Sequence, residues 1–334
     1  MKKIRTLFVC NSNMFIPSVL TEVLDKPEES FLVLSDIKSI QQFFVYLNIP
    51  NVIFKVYGWD KRKDGIFALR KKKKEIIHYL SEYDIKELVF FHTEYGDMAN
   101  WLIDKLSKKI YVKFCKIYDR VPSVIAPISL RSLKLKLVNY LLWGQNMDIC
   151  KAPYLFPALP ASYYKKIKSE TIYLPVRQNV ISAYVNKKLQ EFDFSGKYIL
   201  LTGTAVQNNW YEEKEYTDFI DGLITTIGKE KVVSKCHPRY NGLYGIEKEL
   251  QQVPSFIPGN LLLNCYEIFI GIESTLLVEA ALAGKKSISI IDWLKSDKQK
   301  VKAQHDFFDN RLGGKGVIFF PKNSEEFIDF INKM

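Results

Sequence analysis

The run Lys235-Cys236-His237-Pro238-Arg239 puts three potential phosphate-binding side chains within five residues. An imidazole can hydrogen-bond a phosphate oxygen or protonate a leaving group near neutral pH, while Lys and Arg neutralise the charge. The run ends an apolar stretch, so Lys235, His237 and Arg239 fall at the carboxyl end of a predicted strand, with Pro238 holding the turn. The plainer reading makes His237 a strand cap beside solvated bases. Farther along, EIFIGIESTLLVEAALAGKKSISI reads as strand, glycine-containing turn, helix, glycine terminator and strand. Gly271 and Glu273 occupy that turn, and Ser274 and Thr275 open the helix, whose free amides and dipole favour an anion. A simple Ser/Thr cap competes with this reading. A third strand end, Leu201-Thr202-Gly203-Thr204, offers a close backbone turn and two hydroxyls to the same crevice, or is only a connection.

Carboxylates able to deprotonate a hydroxyl stand in the first half. Asp119 lies just past the apolar run IYVKFCKIY. In FHTEYGDMANW, Glu94 and Asp97 flank Gly96, with His92 nearby; Asp97 also suits a helix cap.

The elements that must position these groups follow a β/α rhythm. Apolar β-type runs at 4 to 10, 31 to 36, 52 to 57, 87 to 92 and 110 to 118 alternate with amphipathic stretches. Ile66, Leu69, Ile76, Ile77 and Leu80 recur at helical spacing, which predicts a crossover helix with Arg70 and Lys71 to Lys74 at polar positions. Pro153, Pro157, Pro160 and Pro175 then interrupt both helix and central-strand patterns and mark a domain connection. A second rhythm follows at 197 to 203, 231 to 237, 267 to 273, 286 to 292 and 316 to 321. The expectation is an α/β protein of two Rossmann-like doubly wound domains, 1–178 and 179–334, facing a central cleft at their strand ends. The last helix, near Ser324 to Lys333, is a candidate to pack back on the first domain.

A length of 334 residues exceeds one ordinary domain, and 47% hydrophobic with 25% charged residues excludes a disordered chain. Five scattered cysteines resemble neither a zinc site nor a disulfide framework, which fits a reducing cytoplasm. At the amino terminus Asn11, Ser12 and Asn13 interrupt the apolar run before a signal-peptide core is complete, and no stretch suits a membrane-spanning helix. The net charge of +11 favours anionic partners without choosing among them.

With these residues in view, the second half resembles bacterial sialyltransferases of the GT-B type, the lipooligosaccharide sialyltransferase family (glycosyltransferase family 52) and related capsular polysialyltransferases. The similarity spans mainly residues 197 to 293, where His237-Pro238 and Ser274-Thr275 correspond to the motifs that bind the CMP-sugar phosphate. The family's catalytic base lies in an acidic motif ending in glycine; here Tyr118-Asp119-Arg120 stands in that place without the second acid or the glycine, and Glu94-Tyr95-Gly96-Asp97 is the fallback. The resemblance implies inverting transfer of sialic acid or a related nonulosonate from a CMP-sugar to a glycan or glycolipid acceptor, with no metal or other cofactor. It implies donor contacts at Thr202, Gly203, Thr204, Lys235, His237, Pro238, Arg239, Gly271, Glu273, Ser274 and Thr275, and catalysis by Asp119 and His237.

Rival readings are a CDP-glycerol or CDP-ribitol polymerase, a UDP-sugar enzyme, and a non-enzymatic polyanion or nucleic-acid binder. The lysine run at 71 to 74 is the main invitation to the last, and a solvated helix face accounts for it; no nucleic-acid partner is expected. The stretch ISLRSLKLKLVNYLLWG, 128 to 144, combines Arg131, Lys134 and Lys136 with leucines and Trp143. It can form an ordinary core-facing helix, or lie on an anionic membrane surface as a peripheral attachment at the cytoplasmic face.

Overall fold

A computed structural model describes residues 1–57, 66–91, 97–115, 124–144, 148–151, 155–158, 169–174, 176–189, 191–192, 198–202, 206, 211–237, 243–294 and 297–333. The chain divides into two compact units, Met1–Lys188 and Leu189–Met334.

In the first unit the order is β1 (Lys2–Val9), α1 (Ile16–Asp25), β2 (Phe31–Ser35), α2 (Lys38–Leu47), β3 (Val52–Val56), α3 (Ile66–Ser81), β4 (Tyr83–Phe91), α4 (Asp97–Leu106) and β5 (Tyr111–Cys115). Then come β6 (Val124–Ile125), α5 (Leu130–Trp143), β7 (Asp148–Lys151), β8 (Leu155–Ala158), β9 (Ser169–Ile172) and α6 (Gln178–Leu189). The main sheet is parallel and ordered β3-β2-β1-β4-β5-β9. Strands covered on both faces need apolar residues without alternation, and all five residues of β2 are buried. One face, with Leu7, Val9, Leu32, Leu34, Leu88 and Phe90, packs on Leu69 and Ile76 of α3 and Leu102 of α4. Toward α1, Phe15 stacks on Phe91 at 4.6 Å between ring centroids.

The Pro-punctuated segment holds more than a connection. β6, β7 and β8 form a small antiparallel sheet in which Pro157 pairs opposite Ile149. β8 is an edge strand, where a proline's missing N–H can face away from the ladder. The strand β9 also went unforeseen, because Ser169-Glu170-Thr171-Ile172 has no apolar signature; it pairs residue for residue with 112 to 115 of β5. Residue 178 begins α6, and the division between the units falls at that helix's far end. Arg177 just before it pairs with Asp25 at 2.7 Å, and Tyr184 within it donates to the Leu47 carbonyl at 3.1 Å, tying α6 to the first unit.

The second unit runs β10 (Tyr198–Thr202), α7 (Glu213–Ile227), β11 (Val232–Cys236), β12 (Gln251–Val253), β13 (Ile268–Gly271), α8 (Thr275–Leu282), β14 (Lys286–Ser289), α9 (Lys298–Leu312), β15 (Ile318–Phe319) and α10 (Ser324–Asn332). Its parallel sheet is ordered β12-β11-β10-β13-β14-β15, the same pattern as the first. The fold is therefore α/β with two Rossmann-like doubly wound domains. Leu200, Ile270 and Ile288 of the sheet meet Tyr216, Ile220 and Ile224 of α7 in one core. That core also takes Phe327 of the last helix, with Ile328, Phe330 and Ile331 packed against it.

Candidate functional site

In a sheet of this order the connections leave in opposite directions from the first strand, so a crevice opens at the carboxyl ends of the first and fourth strands. In the second unit these are β10 and β13, with β11 on the far side of β10. Thr202 stands opposite Cys236 in the register, and the His237 amide donates to the Thr202 carbonyl at 3.1 Å. On the other side, a Cβ at Gly271 would lie 3.2 Å from the Leu201 Cβ, so the absence of a side chain lets the two strands meet at their ends. Adjacent strands lie about 4.8 Å apart, so the ends of β11 and β13 bracket the crevice at roughly 10 Å.

The half-buried His237 leaves β11 at one edge of this crevice, and Glu273, Ser274 and Thr275 leave β13 at the other. Ser274 is the N-cap of α8, its hydroxyl accepting from the Leu276 amide at 3.3 Å, while Thr275 is exposed. Both the capping and the strand-end placement expected for this pair are present in one turn.

Two residues sit differently from the picture of side chains converging on a ligand. Thr202 is buried, and its hydroxyl contacts the Ser234 hydroxyl at 3.4 Å and the Cys236 sulfur at 3.7 Å, so it faces the sheet's covered side. What it presents toward β11's exit is its carbonyl. Lys235 is only 4% exposed, and its ammonium donates to the carbonyls of Cys236 at 3.3 Å and Ser255 at 3.4 Å. Burial pulls its pKa down to about 8. A cation so placed acts on a bound anion through a low-dielectric interior and not as a surface clamp. Gly203, Thr204, Pro238, Arg239, Glu94 and Asp119 lie outside the described residues; Asp97 is the first residue of α4. Among the described residues no group of three or more His, Cys, Asp or Glu could hold a metal ion.

Beneath the β11 end lies a carboxylate not singled out from the sequence. Glu247 is fully buried, accepting from the Tyr216 hydroxyl at 3.1 Å and the Tyr244 amide at 3.0 Å. Burial is the main cause that raises its pKa to about 7. The folded value exceeds the ordinary 4.5, so the folded state holds the extra proton, and its stabilising effect, complete below about 4.5, disappears as the pH rises through about 7. Glu247→Gln keeps both contacts if the amide oxygen accepts from Tyr244 and the amide nitrogen donates to Tyr216. We expect the variant to be more stable than the parent at pH 8, by on the order of 1–3 kcal/mol, and equally stable near pH 4. Urea melts at the two pH values check this, and an equal difference at both would remove Glu247 as the titrating group. Lys235 works in the opposite window: its depressed value costs stability below about 8, and the cost is relieved as the pH rises toward 10.5.

The first unit has the same strand order, so its own crevice lies at the ends of β1 and β4. There Asn11 is buried, its side-chain oxygen accepting from the Tyr57 hydroxyl at 2.7 Å and its side-chain nitrogen without a partner. Burial pushes the Cys10 thiol up to about 12 and raises the Tyr57 hydroxyl well above its ordinary value, so neither is a nucleophile at neutral pH. Polar Asn11, Ser12 and Asn13 immediately after the first strand of a doubly wound sheet were the sequence signal for this place.

No protein-family model matches the chain, and no curated protein does. Among solved structures it is similar to the UDP-GlcNAc 2-epimerase of Methanocaldococcus jannaschii, at 14% identity and a TM-score of 0.47, over 99% of this chain and 92% of that one. It is also similar to the Escherichia coli heptosyltransferase WaaC with ADP, at 12% identity and a TM-score of 0.46, over 99% of both chains. The spinosyn rhamnosyltransferase SpnG complexed with thymidine diphosphate gives 12% identity and a TM-score of 0.46, over 100% and 91%. Similarity at this level gives no residue its role, and the site is read from its own geometry.

Proposed function

We propose that this chain is a GT-B glycosyltransferase that moves sialic acid or a related nonulosonate from a CMP-sugar to a bacterial surface glycan, by inversion and without a metal. The observation that carries the reading is the meeting of the His237 and Ser274-Thr275 strand ends on either side of β10, at the crevice where a doubly wound sheet binds its ligand. In this reading the positive end of α8 and the Ser274-Thr275 hydroxyls take the CMP phosphate, and the buried Lys235 at the β11 end adds its charge. A first-unit carboxylate, Asp119 or else Glu94 or Asp97, accepts the proton of the acceptor hydroxyl. The acceptor oxygen bonds to the anomeric carbon as the bond from that carbon to the phosphate oxygen breaks, and His237 donates a proton or a hydrogen bond to the departing CMP.

The test is transfer from CMP-sialic acid to a lipooligosaccharide or capsular acceptor, followed by mass spectrometry, alongside CDP-glycerol, CDP-ribitol and UDP-sugar donors. Expected is product from the CMP donor alone, undiminished by EDTA, with Asp119→Asn lowering turnover by about 10²–10⁴-fold. Product from a UDP or CDP donor instead, or activity abolished by the chelator and restored by a divalent cation, overturns the proposal. Loss confined to Glu94→Gln or Asp97→Asn moves the base to the earlier loop.

A further inference from the structure

α5 is inside out for a globular helix. Its buried residues are Ser132, Asn139 and Trp143, while Leu130, Leu133, Leu137 and Leu141 face solvent with 52 to 88% of their surface exposed. Ile128, just before the helix, is 88% exposed. At 100° per residue these four leucines lie on one stripe, with Lys134 and Arg131 along one border and Lys136 along the other. The inward polar side chains have local partners: Ser132 closes a capping box with Ser129, and Asn139 donates to the Leu135 carbonyl at 2.8 Å. Lys73 holds the helix from beneath, donating to the Leu142 carbonyl at 2.5 Å with its ammonium 4.5 Å from the centre of the Trp143 ring. The exposed leucines therefore belong to a helix that is anchored in place.

We infer that this face docks on an anionic bilayer leaflet, with the leucines among the acyl chains and Arg131, Lys134 and Lys136 at the headgroups. Between 128 and 144 there are three basic residues and no acidic one, in a chain of net charge +11, which matches an anionic surface. Long basic side chains can lie along the apolar stripe and keep their charges at the phosphates. A helix of this length, about 21 Å, lies in the interface and is too short to cross the hydrocarbon core. Among the described residues no helix is long and apolar enough to do so. A second copy is a poorer occupant, because a two-fold contact through this stripe brings two identical basic borders together. The inference rests on α5 alone and stands or falls separately from the reading of the donor site.

Flotation of the full chain with vesicles tests it, using equimolar phosphatidylglycerol and phosphatidylcholine against phosphatidylcholine alone. The chain should float with the anionic vesicles and lose most of that binding at 1 M salt. Leu137→Asn with Leu141→Asn, and separately Lys134→Gln with Lys136→Gln, should each lower the partition coefficient on the order of tenfold at an unchanged melting temperature. A parent chain that stays in the soluble fraction with both vesicles overturns the inference, as does leucine-variant binding equal to the parent's. A dimer in sedimentation velocity that the leucine variant dissociates, with no flotation of the parent, assigns the face to a second copy instead.

Discussion

His237→Ala is expected to lower the turnover of glycosyl transfer by about 10²–10³-fold while the protein stays folded. The two parts of the expectation have separate grounds. Stability should hardly change, because the imidazole is only half-buried and the main chain is fixed independently, the His237 amide donating to the Thr202 carbonyl at 3.1 Å. In the proposed reaction the imidazole meets the charge that develops on the departing phosphate, a contact stronger in the transition state than in the ground state, so turnover should fall. The loss therefore belongs in kcat more than in KM. Steady-state kinetics with a circular-dichroism melt decides it: a variant with parent-like kcat removes His237 from the mechanism, and one that no longer melts cooperatively reassigns it to the fold.

Phe327→Ala should cost about 3–5 kcal/mol, the range for removing a large aromatic from a packed interior. The ring is fully buried, 5.8 Å from the Trp293 ring between centroids, in the core shared by α7 and the sheet of the second unit. That core draws on helix and strand side chains alike, and a close-packed interior refills such a space only in part. Guanidinium unfolding followed by tryptophan fluorescence measures the loss. A change below about 1 kcal/mol would mean that the last helix is not an integral part of that core.

Much of the scaffold was open to view in the chain. The run Phe31-Leu32-Val33-Leu34 is apolar without alternation, as a strand covered on both faces must be, and the structure has β2 there. Strands at the margins escaped for the opposite reason. β9 and β12 are short and polar, Ser169-Glu170-Thr171-Ile172 and Gln251-Gln252-Val253, and what makes them strands is the neighbour they pair with. At the candidate site the place of the strand end was legible, since Ser274 caps a helix that starts where the apolar run stops. Side-chain direction was harder. Every residue of β11 is buried, so alternation says nothing about whether Lys235 faces ligand or core. A lysine inside a run covered on both faces was the available hint that it is a buried cation. Glu247 was invisible because its meaning comes from Tyr216, 31 positions away. The stripe on α5 has the ordinary spacing of a core-facing helix, and only the packed structure shows Leu133, Leu137 and Leu141 on the outside.

The central claim, a cytidine monophosphate site at the ends of β10, β11 and β13, is tested most directly by thermal shift and calorimetry with CMP, CDP, UDP and GDP, which needs no acceptor. A ligand that binds only the folded state stabilises it by about 2.7 kcal/mol at a hundred times its Kd. The account predicts selective stabilisation by CMP that weakens markedly in His237→Ala. Preference for UDP or GDP, or no stabilisation by any of the four, would contradict it.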